Sequence, residues 1–454
     1  MTASEDLAKF ATGFDFVQLP SDVVQFTKNM ILDLVGNVLG GYTEPDPKRV
    51  INAIKSYDIG AGATIWGDGS MTSTGLAAFA NTSSAEGNDY TFGWTGVIPS
   101  AFAVGEKTKA DGKTVIAGIV AGFEVLKRVG QAMHDPTMHK RGFYWPELPL
   151  GATVAAGKVL NLTAEQMTWA LGLAGSSGTA AWFPFDEGLR TKLFFHGKAA
   201  LVGIISCYFA MQGFEGPRKL FEIEDKQKHP TFLKMYSDPN YDYSKLTEKL
   251  GEFILKDVVL YKLYPSCRAS HSSIDAAYEL VKKYSLSPED IEKVVIHVSD
   301  RDVQLVGRPE QLTKVDAQFS IQYLVAATIT EKSVPTLQFF TDEKLKNRRI
   351  IELAKRVEVV GDPELTKIRT YPSPPFIHPA RLQAHTKDGK SYIVSVDYFK
   401  GTPQNPPSAD ELRVKFDDQA KRALTTKKVG QVFSMIQTLE KLKDVGELSR
   451  AIRP

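Results

Sequence analysis

Cysteine is nearly absent from this chain of 454 residues, in which Cys207 and Cys267 are the only two. They are far apart in the sequence and form no CxxC pair, which argues against a disulfide framework and against a cysteine zinc site. So low a cysteine content is typical of a reducing compartment, and we expect a cytoplasmic protein.

An excess of charge of either sign is also missing. The chain has 55 Lys and Arg against 53 Asp and Glu, a net charge of +2, so nothing overall points to nucleic acid or to an anionic membrane. Residues 1–6 are polar and acidic, unlike a signal peptide. The longest apolar stretches, such as residues 199–211, contain glycine and are too short to span a bilayer. We therefore expect neither a nucleic-acid partner nor a membrane.

Glycine and proline are no more frequent than usual, with 35 and 24 residues, and 43% of the chain is hydrophobic. This composition excludes a disordered or fibrous protein. A chain of this length holds about two or three domains and can bury a substantial core.

Most of the first 260 residues carry apolar side chains at helical spacing. The clearest helix start is a capping box, Thr-Ala-Glu-Gln at residues 163–166. Residues 198–212 are apolar almost all round, which predicts a buried helix. The other helices predicted in this region span residues 23–39, 74–80, 99–107, 114–129 and 167–174.

The pattern changes after residue 260, where strands join the helices. Residues 381–386 and 391–396 alternate on either side of an Asp-Gly pair, a strong hairpin signal. Strands are also predicted at residues 293–298 and 356–360, and helices at residues 273–283 and 319–329. Beyond a proline-rich turn at residues 402–407 the chain becomes helical again. The predicted fold is mainly α: a large all-helical domain (residues 1–260 and 405–454) with an inserted smaller α+β lid domain (residues 261–404).

Several familiar motifs can be rejected. The spaced glycines at residues 172–178 follow a helix rather than a strand, so they predict helix packing instead of a phosphate loop. No Walker loop and no Gly-x-Ser-x-Gly elbow occurs in the sequence. His134 and His139 are five residues apart and would not share a helix face, which rules out a zincin-type metal site.

Four polar residues in unusual surroundings are candidates for chemistry. Asp89 lies among aromatic residues, where a raised pKa would suit an acid or base, although a turn or cap aspartate fits as well. Lys192 begins an apolar helix and could bind a carboxylate or move a proton, or simply snorkel to the surface. Lys262 lies at the predicted domain boundary. His271 precedes a helix, where histidine is as often a cap or core residue as a catalyst.

The segment around Lys262 resembles a family signature. Residues 261–267, His271 and residues 274–277 are similar to the Lys-x-Tyr-Pro-Cys-Cys…His…Ile-Asp-Ala pattern of the 2-methylcitrate dehydratase and cis-aconitate decarboxylase family, MmgE/PrpD. Other matches follow in order over nearly the whole chain: residues 77–81, 122–124 with Arg128, 141–143, 191–192 with Gly197 and 199–200, 316–320 with Tyr323, and 401–406.

This resemblance implies a helical domain with an α+β lid, an active site in the cleft between them, a homodimer, and no metal or organic cofactor. The family removes water or carbon dioxide from small di- and tricarboxylates, and one member is an epimerase. The step they share is proton transfer at carbon, with cationic groups holding the carboxylates. At the matching positions the resemblance implies catalytic roles for Asp89, Lys192, Lys262 and His271.

The sequence departs from the family where histidines are usual. The first histidine position falls near Phe92, in a shortened segment that includes Trp94, and the second falls at Tyr144 and Trp145. A tyrosine position in the lid falls near Leu305. The predicted substrate-binding residues are therefore Phe92, Trp94, Arg141, Tyr144, Trp145, Cys267 and Leu305.

The replacement of imidazoles by aromatic and aliphatic groups predicts a less cationic, more apolar pocket. A trianion would be costly to hold there, because each carboxylate needs a paired donor. We therefore expect a lyase or isomerase that transfers a proton beside a carboxylate or carbonyl of a less anionic, more hydrophobic small molecule than methylcitrate. Lys192 and Lys262 would bind that group, and Asp89 or Tyr144 would exchange the proton.

Two alternatives stay open at this point. The first is a conventional 2-methylcitrate dehydratase or cis-aconitate decarboxylase in which another histidine, at position 134, 139 or 196, replaces the missing ones. The second is a non-catalytic small-molecule binder on the same fold. A silent panel of polyacids would argue against the first alternative.

Overall fold

The computed structural model describes residues 2–58, 60–92, 96–133, 138–178, 180–185, 189–222, 229–308, 313–370 and 375–453. It consists of two compact units. The helical unit comprises Met1–Gly87, Gly93–Lys256 and Ala409–Pro454, and the mixed unit comprises Asn88–Phe92 and Asp257–Ser408. The predicted fold class, mainly α with an inserted α+β region, is confirmed. The domain boundaries expected after residues 260 and 404 remain predictions. They assigned Asn88–Phe92 to the helical domain, whereas these residues belong to the mixed unit.

Helices make up most of the described chain. The first group, in the helical unit, is α1 (Ala3–Gly13), α2 (Ser21–Gly41), α3 (Pro45–Tyr57), α4 (Thr74–Ala85), α5 (Val97–Thr108), α6 (Gly112–Ala132), α7 (Leu148–Val159), α8 (Ala164–Ser177), α9 (Lys192–Met211) and α10 (Phe232–Ser237). A short helix, α11 (Leu255–Val258), contains the boundary between the units. The mixed unit adds α12 (His271–Tyr284), α13 (Asp300–Val306), α14 (Lys314–Gln318), α15 (Ile321–Glu331), α16 (Asp342–Leu345), α17 (Arg348–Ala354) and α18 (Pro363–Ile368). The chain ends in the helical unit with α19 (Ala409–Ala420), α20 (Thr426–Gln437) and α21 (Gly446–Ala451).

Local capping explains why α8 begins where the sequence predicts. The Thr163 side chain accepts a hydrogen bond from the backbone of Gln166, and the Gln166 side chain accepts one from the backbone of Thr163. These two bonds satisfy donors that the first turn of a helix leaves open. The spaced glycines farther along serve packing, as predicted: Gly172 lies against Pro217 and Gly175 against Leu220.

The C-terminal helices complete the core of the helical unit by packing on α2. Gly36 and Gly40 of α2 face Phe416 and Gln419 of α19, and at Gly40 a Cβ atom would collide with the glutamine side chain. Lys415 of α19 also forms a buried ion pair, 2.6 Å long, with Asp33 of α2. The two ends of the chain therefore share one core.

Helix α9 is long and apolar enough, by length and composition alone, to cross a membrane. However, 56% of its most apolar stretch is buried inside the structure, and α9 packs against α4, α7 and α8. These contacts are those of a core helix. The buried helix predicted at residues 198–212 has one exposed side, where Ile205 and Phe209 are 44% and 51% exposed.

The mixed unit is built on a four-stranded sheet with the order β4-β3-β5-β6. Its strands are β3 (Ile291–Val298), β4 (Val357–Gly361), β5 (Ala380–Thr386) and β6 (Ser391–Val396); a two-residue pair in the helical unit supplies β1 (Ala63–Thr64) and β2 (Met71–Thr72). Strand β3 runs parallel to β4 and antiparallel to β5, with Val295 opposite Gln383. Alternate residues of β5 are buried, and helices α12 and α15 share that core. The hairpin predicted around Asp388 and Gly389 is confirmed as β5 and β6.

Candidate active site

A buried ion pair joins two separate segments of the mixed unit. Nζ of Lys262 lies 3.1 Å from Oδ2 of Asp89, and both side chains are only 7% exposed. The same ammonium group donates a hydrogen bond to the backbone carbonyl of Asp89 at 3.1 Å. Ion pairs removed from water need such good geometry to offset the loss of hydration. Lys262 therefore holds Asp89 at both its side chain and its backbone.

The short segment that carries Asp89 is fastened by further contacts within the mixed unit. Gln318 donates a hydrogen bond of 2.9 Å to the carbonyl of Asn88, and Lys314 bonds to the Asn88 side chain at 3.1 Å. The hydroxyl of Tyr90 donates to the carbonyl of Leu263 at 3.1 Å. Asp89 itself has a positive φ of 53°, a left-handed conformation that aspartate tolerates better than most residues. The segment thus presents one carboxylate in a fixed position.

His271 begins α12 and lies next to this ion pair. It is fully buried, with its ring centroid 4.9 Å from that of Tyr264 and 5.3 Å from that of Phe399. Among the described residues neither ring nitrogen has a hydrogen-bond partner. Burial first, and then the positive charges of Lys262 and Arg268, lower the pKa of His271 well below its usual value. The imidazole is therefore neutral, and its nitrogens can meet a ligand as donor or acceptor.

Arg268 and Cys267 complete this group. The Arg268 guanidinium lies 4.0 Å from the ring centroid of Phe92, a cation–π contact, and burial lowers its pKa. Burial, followed by the nearby Asp89 carboxylate, raises the pKa of the Cys267 thiol. The thiol is therefore protonated and is a poor nucleophile.

An acid–histidine pair, Asp302 and His378, lies in the same unit. Oδ1 of Asp302 is 3.2 Å from Nε2 of His378, and Oδ2 is 3.3 Å from Nε of Arg369. Burial opposes ionisation of Asp302, but His378 and Arg369 lower its pKa to about 2. Asp302 lies on α13 together with Leu305, and α13 packs on the 3₁₀ turn Arg268–Ser270. Sequence reasoning did not identify this pair.

The helical unit holds a different group, centred on Glu86 at the end of α4. One carboxylate oxygen of Glu86 lies 3.4 Å from Nζ of Lys192, and the other lies 3.4 Å from Nδ1 of His196. On the far side of the imidazole, Nε2 of His196 lies 2.9 Å from the hydroxyl of Tyr144. Glu86, His196 and Tyr144 are 3%, 1% and 8% exposed. Lys192 is thus an ion-paired residue rather than a snorkelling one.

The close approach of α4 and α9 sets this geometry. Lys192 and His196 are one helical turn apart on α9, so both side chains lie on one face. Beside them, a Cβ atom on Gly197 would come within 2.6 Å of Phe79 and of Ser83 on α4. The Ser83 hydroxyl also donates to the carbonyl of Leu193 at 2.8 Å. Because Gly197 has no side chain, α4 and α9 approach closely enough for Glu86 to contact Lys192 and His196.

Tyr144 is positioned by a short extended segment and surrounded by aromatic rings. Its backbone N–H donates to the carbonyl of Ala180 at 3.0 Å. The ring centroids of Trp182, Phe195 and Trp145 lie 5.6, 6.0 and 6.4 Å from that of Tyr144. Water has little room around such a phenol, which strengthens electrostatic interactions there.

The remaining predicted residues are placed as follows. Arg141 is exposed and donates a hydrogen bond to the backbone carbonyl of Tyr236 in the helical unit. Trp94 and His134 lie outside the described residues, as does the side chain of His139. Asp89, Lys262, Cys267, His271 and Phe92 come together in the mixed unit, and Lys192 and Tyr144 come together in the helical unit. Their catalytic and binding roles stay predictions.

Sequence reasoning gave little weight to five residues of these sites. His196 had a usable signal, because it follows Lys192 at helical spacing. Arg268 lies within the recognised motif but carried no role there. Glu86 and the Asp302–His378 pair had no local signal, because their partners are distant in the sequence. In the part of the chain that the structure describes, no three His, Cys, Asp or Glu side chains are grouped to hold a metal ion.

Comparison with known proteins agrees with this architecture. Residues 5–241 match the MmgE/PrpD N-terminal domain, and residues 264–441 match the MmgE/PrpD C-terminal domain. The chain is 26% identical to a cis-aconitate decarboxylase of Mus musculus, over 100% of this chain and 93% of that protein. It is 26% identical to the Homo sapiens protein of that name (99% and 94% covered) and 24% identical to one from Aspergillus terreus (98% and 94%). Since the two domain matches together span most of its length, the chain belongs to the MmgE/PrpD family.

Proposed function

We propose that this protein is a lyase of the dehydratase or decarboxylase type that transfers a proton at a carbon beside a carboxylate or carbonyl. Its substrate is a small molecule less anionic and more hydrophobic than methylcitrate. Lys262 and Lys192 bind the carboxylate or carbonyl, and Asp89 or Tyr144 exchanges the proton. Curated relatives named cis-aconitate decarboxylase, matched over nearly the full chain, support the reaction type.

The observation that carries the proposal is the buried Lys262–Asp89 pair next to neutral His271. An ammonium group in a site of low dielectric stabilises negative charge as it develops on a carboxylate or carbonyl oxygen. The fixed carboxylate of Asp89 is a proton acceptor, and a neutral imidazole can donate or accept a hydrogen bond without bringing a charge of its own. These are the parts that carbon-acid chemistry requires.

The charge of the substrate follows from the partners of the two lysines. Lys262 lies against Asp89 and Lys192 lies against Glu86, so each pair has no net charge. His271 is neutral because burial and nearby cations lower its pKa. A tricarboxylate would bring three charges that each need a paired donor. A substrate with one carboxylate, or with a carbonyl in its place, matches these groups better.

The relatives' names favour a second candidate, a conventional lyase acting on cis-aconitate or 2-methylcitrate. In that case His196, paired with Glu86, supplies the imidazole that the family usually has near the positions of Phe92 and Tyr144. An isomerase or cyclase would use the same proton transfer without loss of water or carbon dioxide. All of these reactions proceed here without a metal or organic cofactor in our proposal.

We also propose that the protein is a homodimer. Phe194, Ile205 and Phe209 lie at helical spacing along one side of α9 and are 55%, 44% and 51% exposed. Phe214, just beyond the end of α9, has its ring centroid 5.5 Å from that of Phe209 and is 56% exposed. An exposed apolar surface of this kind marks an interaction site on a soluble protein. We define these four residues as the α9 stripe.

Matched substrates of different charge test the proposed function. We would compare 2-methylcitrate, citrate and cis-aconitate with their monomethyl esters, following loss of water, loss of carbon dioxide and deuterium uptake at carbon by proton NMR. Faster reaction of the esters, lost in Lys262→Ala but kept in the exposed-lysine control Lys355→Ala, supports the proposal. Faster reaction of the free acids supports the conventional lyase. No reaction from folded protein favours the non-catalytic binder.

A further inference from the structure

Three buried side chains of the helical unit lie in a line: Glu86 is 3.4 Å from Nδ1 of His196, and Nε2 of His196 is hydrogen-bonded to Tyr144. We propose that Tyr144 is the group that takes the proton from the substrate carbon, and that His196 and Glu86 act through it as positioning residues. This inference rests on the proposed function, since it assigns the proton acceptor that the proposal left open between Asp89 and Tyr144.

The carboxylate determines which ring nitrogen of His196 carries the proton. Glu86 offers an acceptor oxygen 3.4 Å from Nδ1, so the tautomer protonated at Nδ1 is favoured. The lone pair of Nε2 then faces the Tyr144 hydroxyl at 2.9 Å, and the phenol must be the donor of that hydrogen bond. Nζ of Lys192 lies 3.4 Å from the other carboxylate oxygen of Glu86.

This arrangement allows a balanced proton transfer. The C–H bond of the substrate breaks, and its electron pair stays on carbon, delocalised into the adjacent carboxylate or carbonyl. The Tyr144 oxygen forms a new O–H bond to that proton while its original proton moves to Nε2 of His196. The imidazolium that results is stabilised by the Glu86 carboxylate. Reversal of the same steps lets Tyr144 return a proton to carbon.

A phenol alone would be a poor proton acceptor at neutral pH, because a usual pKa of about 10 leaves almost none of it as phenolate. The neighbouring imidazole removes this difficulty, since phenolate never has to form as a free ion. The surrounding rings of Trp182, Phe195 and Trp145 keep the dielectric low, which favours charge stabilisation by fixed groups over water. The arrangement has the logic of a nucleophile–base–acid triad with tyrosine in the first position.

The tautomer can be measured without any turnover. We would label histidine with ¹⁵N, identify His196 by its loss in His196→Gln, and read the two nitrogen shifts near neutral pH. We expect a protonated Nδ1 and an unprotonated Nε2, with the pattern disturbed in Glu86→Gln and restored in Glu86→Asp. A dominant Nε2–H tautomer would overturn the relay, because that nitrogen could not accept the phenol proton.

Kinetics test the role in catalysis on whichever substrate of the NMR panel reacts. We expect Tyr144→Phe to lower kcat by about 10²–10⁴-fold with KM changed by less than about threefold. His196→Gln and Glu86→Gln should also lower kcat, with Glu86→Asp retaining more activity than Glu86→Gln. Tyr323→Phe is the matched control, since it removes a buried phenol hydroxyl that bonds to a carbonyl in the mixed unit.

The outcomes separate the two proposals. Wild-type kcat in folded Tyr144→Phe overturns the inference even when the protein is an active lyase. If no substrate of the panel reacts, the proposed function fails and the assignment of Tyr144 as proton acceptor fails with it, whereas a protonated Nε2 of His196 in an active enzyme overturns that assignment alone.

Discussion

The ammonium group of Lys262 contacts two oxygens of a single residue, at 3.1 Å from Oδ2 and 3.1 Å from the backbone carbonyl of Asp89. It therefore holds the left-handed backbone of Asp89 as well as its charge. Lys262 therefore holds this segment in place, and under the proposed function its ammonium group also binds a substrate oxygen. The two roles make separate predictions.

The structural role predicts a large loss of stability when the ammonium group is removed. Lys262→Met would leave the Asp89 carboxylate buried without this partner, and we expect the free energy of unfolding to fall by about 3–5 kcal/mol. Adding Asp89→Asn should recover about 2 kcal/mol, because asparagine has no charge and tolerates positive φ. Urea denaturation of the two single variants and the double variant measures this coupling.

The exposed Lys390–Asp388 pair provides the control, and Lys390→Met should cause no measurable loss. Additive effects of Lys262→Met and Asp89→Asn would contradict the coupling. Loss of turnover in all three site variants is expected under the proposed function, but it does not bear on the stability cycle.

Because the Glu147 carboxyl is buried, we expect its contribution to the free energy of unfolding to decline as the pH rises toward neutrality. Burial raises the pKa of this carboxyl to about 7, despite the opposing charge of Lys127. Between pH 4.5 and 7 the folded protein keeps the proton while the unfolded chain releases it, so stability falls with rising pH. The contribution lost over this window is about 3 kcal/mol at 1.36 kcal/mol per pKa unit.

Glu147→Gln removes this titration. Measured by urea denaturation, the wild type should become less stable relative to Glu147→Gln on going from pH 4.5 to pH 7.5. Glu252→Gln, at an exposed carboxyl, should follow the wild type. A constant difference between wild type and Glu147→Gln across this range would show that the carboxyl is already ionised.

Replacing His271 should lower activity without lowering the free energy of unfolding by much. Its two ring nitrogens are buried with no hydrogen-bond partner among the described residues, so hydrating them in the unfolded state is favourable. His271→Phe keeps a flat ring against Tyr264 and Phe399, and we expect the free energy of unfolding to stay within about 1 kcal/mol of wild type or to rise. Deuterium incorporation at the substrate carbon should fall by about 10²–10⁴-fold. Full activity in the folded variant would remove His271 from the site.

If the α9 stripe is the dimer interface, placing charged residues in it should dissociate the dimer. Ile205→Glu with Phe209→Glu should shift the protein from dimer to monomer in sedimentation experiments at micromolar concentration. Val414 on α19 is 67% exposed and serves as control, so Val414→Glu should leave the dimer intact. A wild-type monomer, or a dimer that survives the double substitution, would show that the stripe is not the interface.

The elements predicted from sequence are those with local signals. The Asp-Gly turn determines the β5–β6 hairpin, and the Thr163–Gln166 capping box determines the start of α8, because each depends on residues a few positions apart. Family resemblance named Asp89 and Lys262 as candidate site residues but did not predict the ion pair between them. The Glu86–His196–Tyr144 line was out of reach, since three distant segments meet there only through helix packing.

The side of α9 that faces outward shows the limit of composition as a guide. Residues 198–212 are apolar almost all round, and this pattern predicts a buried helix, yet Phe209 is half exposed. An apolar side chain in the sequence does not show whether it packs against its own chain or against another molecule. Sequence periodicity alone could not separate these cases.

Gly197 has a consequence that reaches beyond packing. The distance between the Glu86 carboxylate and the His196 ring depends on how closely α4 and α9 approach. That approach is possible because Gly197 has no Cβ atom. Any residue larger than glycine at this position would push α9 outward and lengthen the contact. The proton transfer that we propose for the helical unit could therefore be weakened or abolished by a methyl group at position 197 that contacts none of the groups that would move the proton.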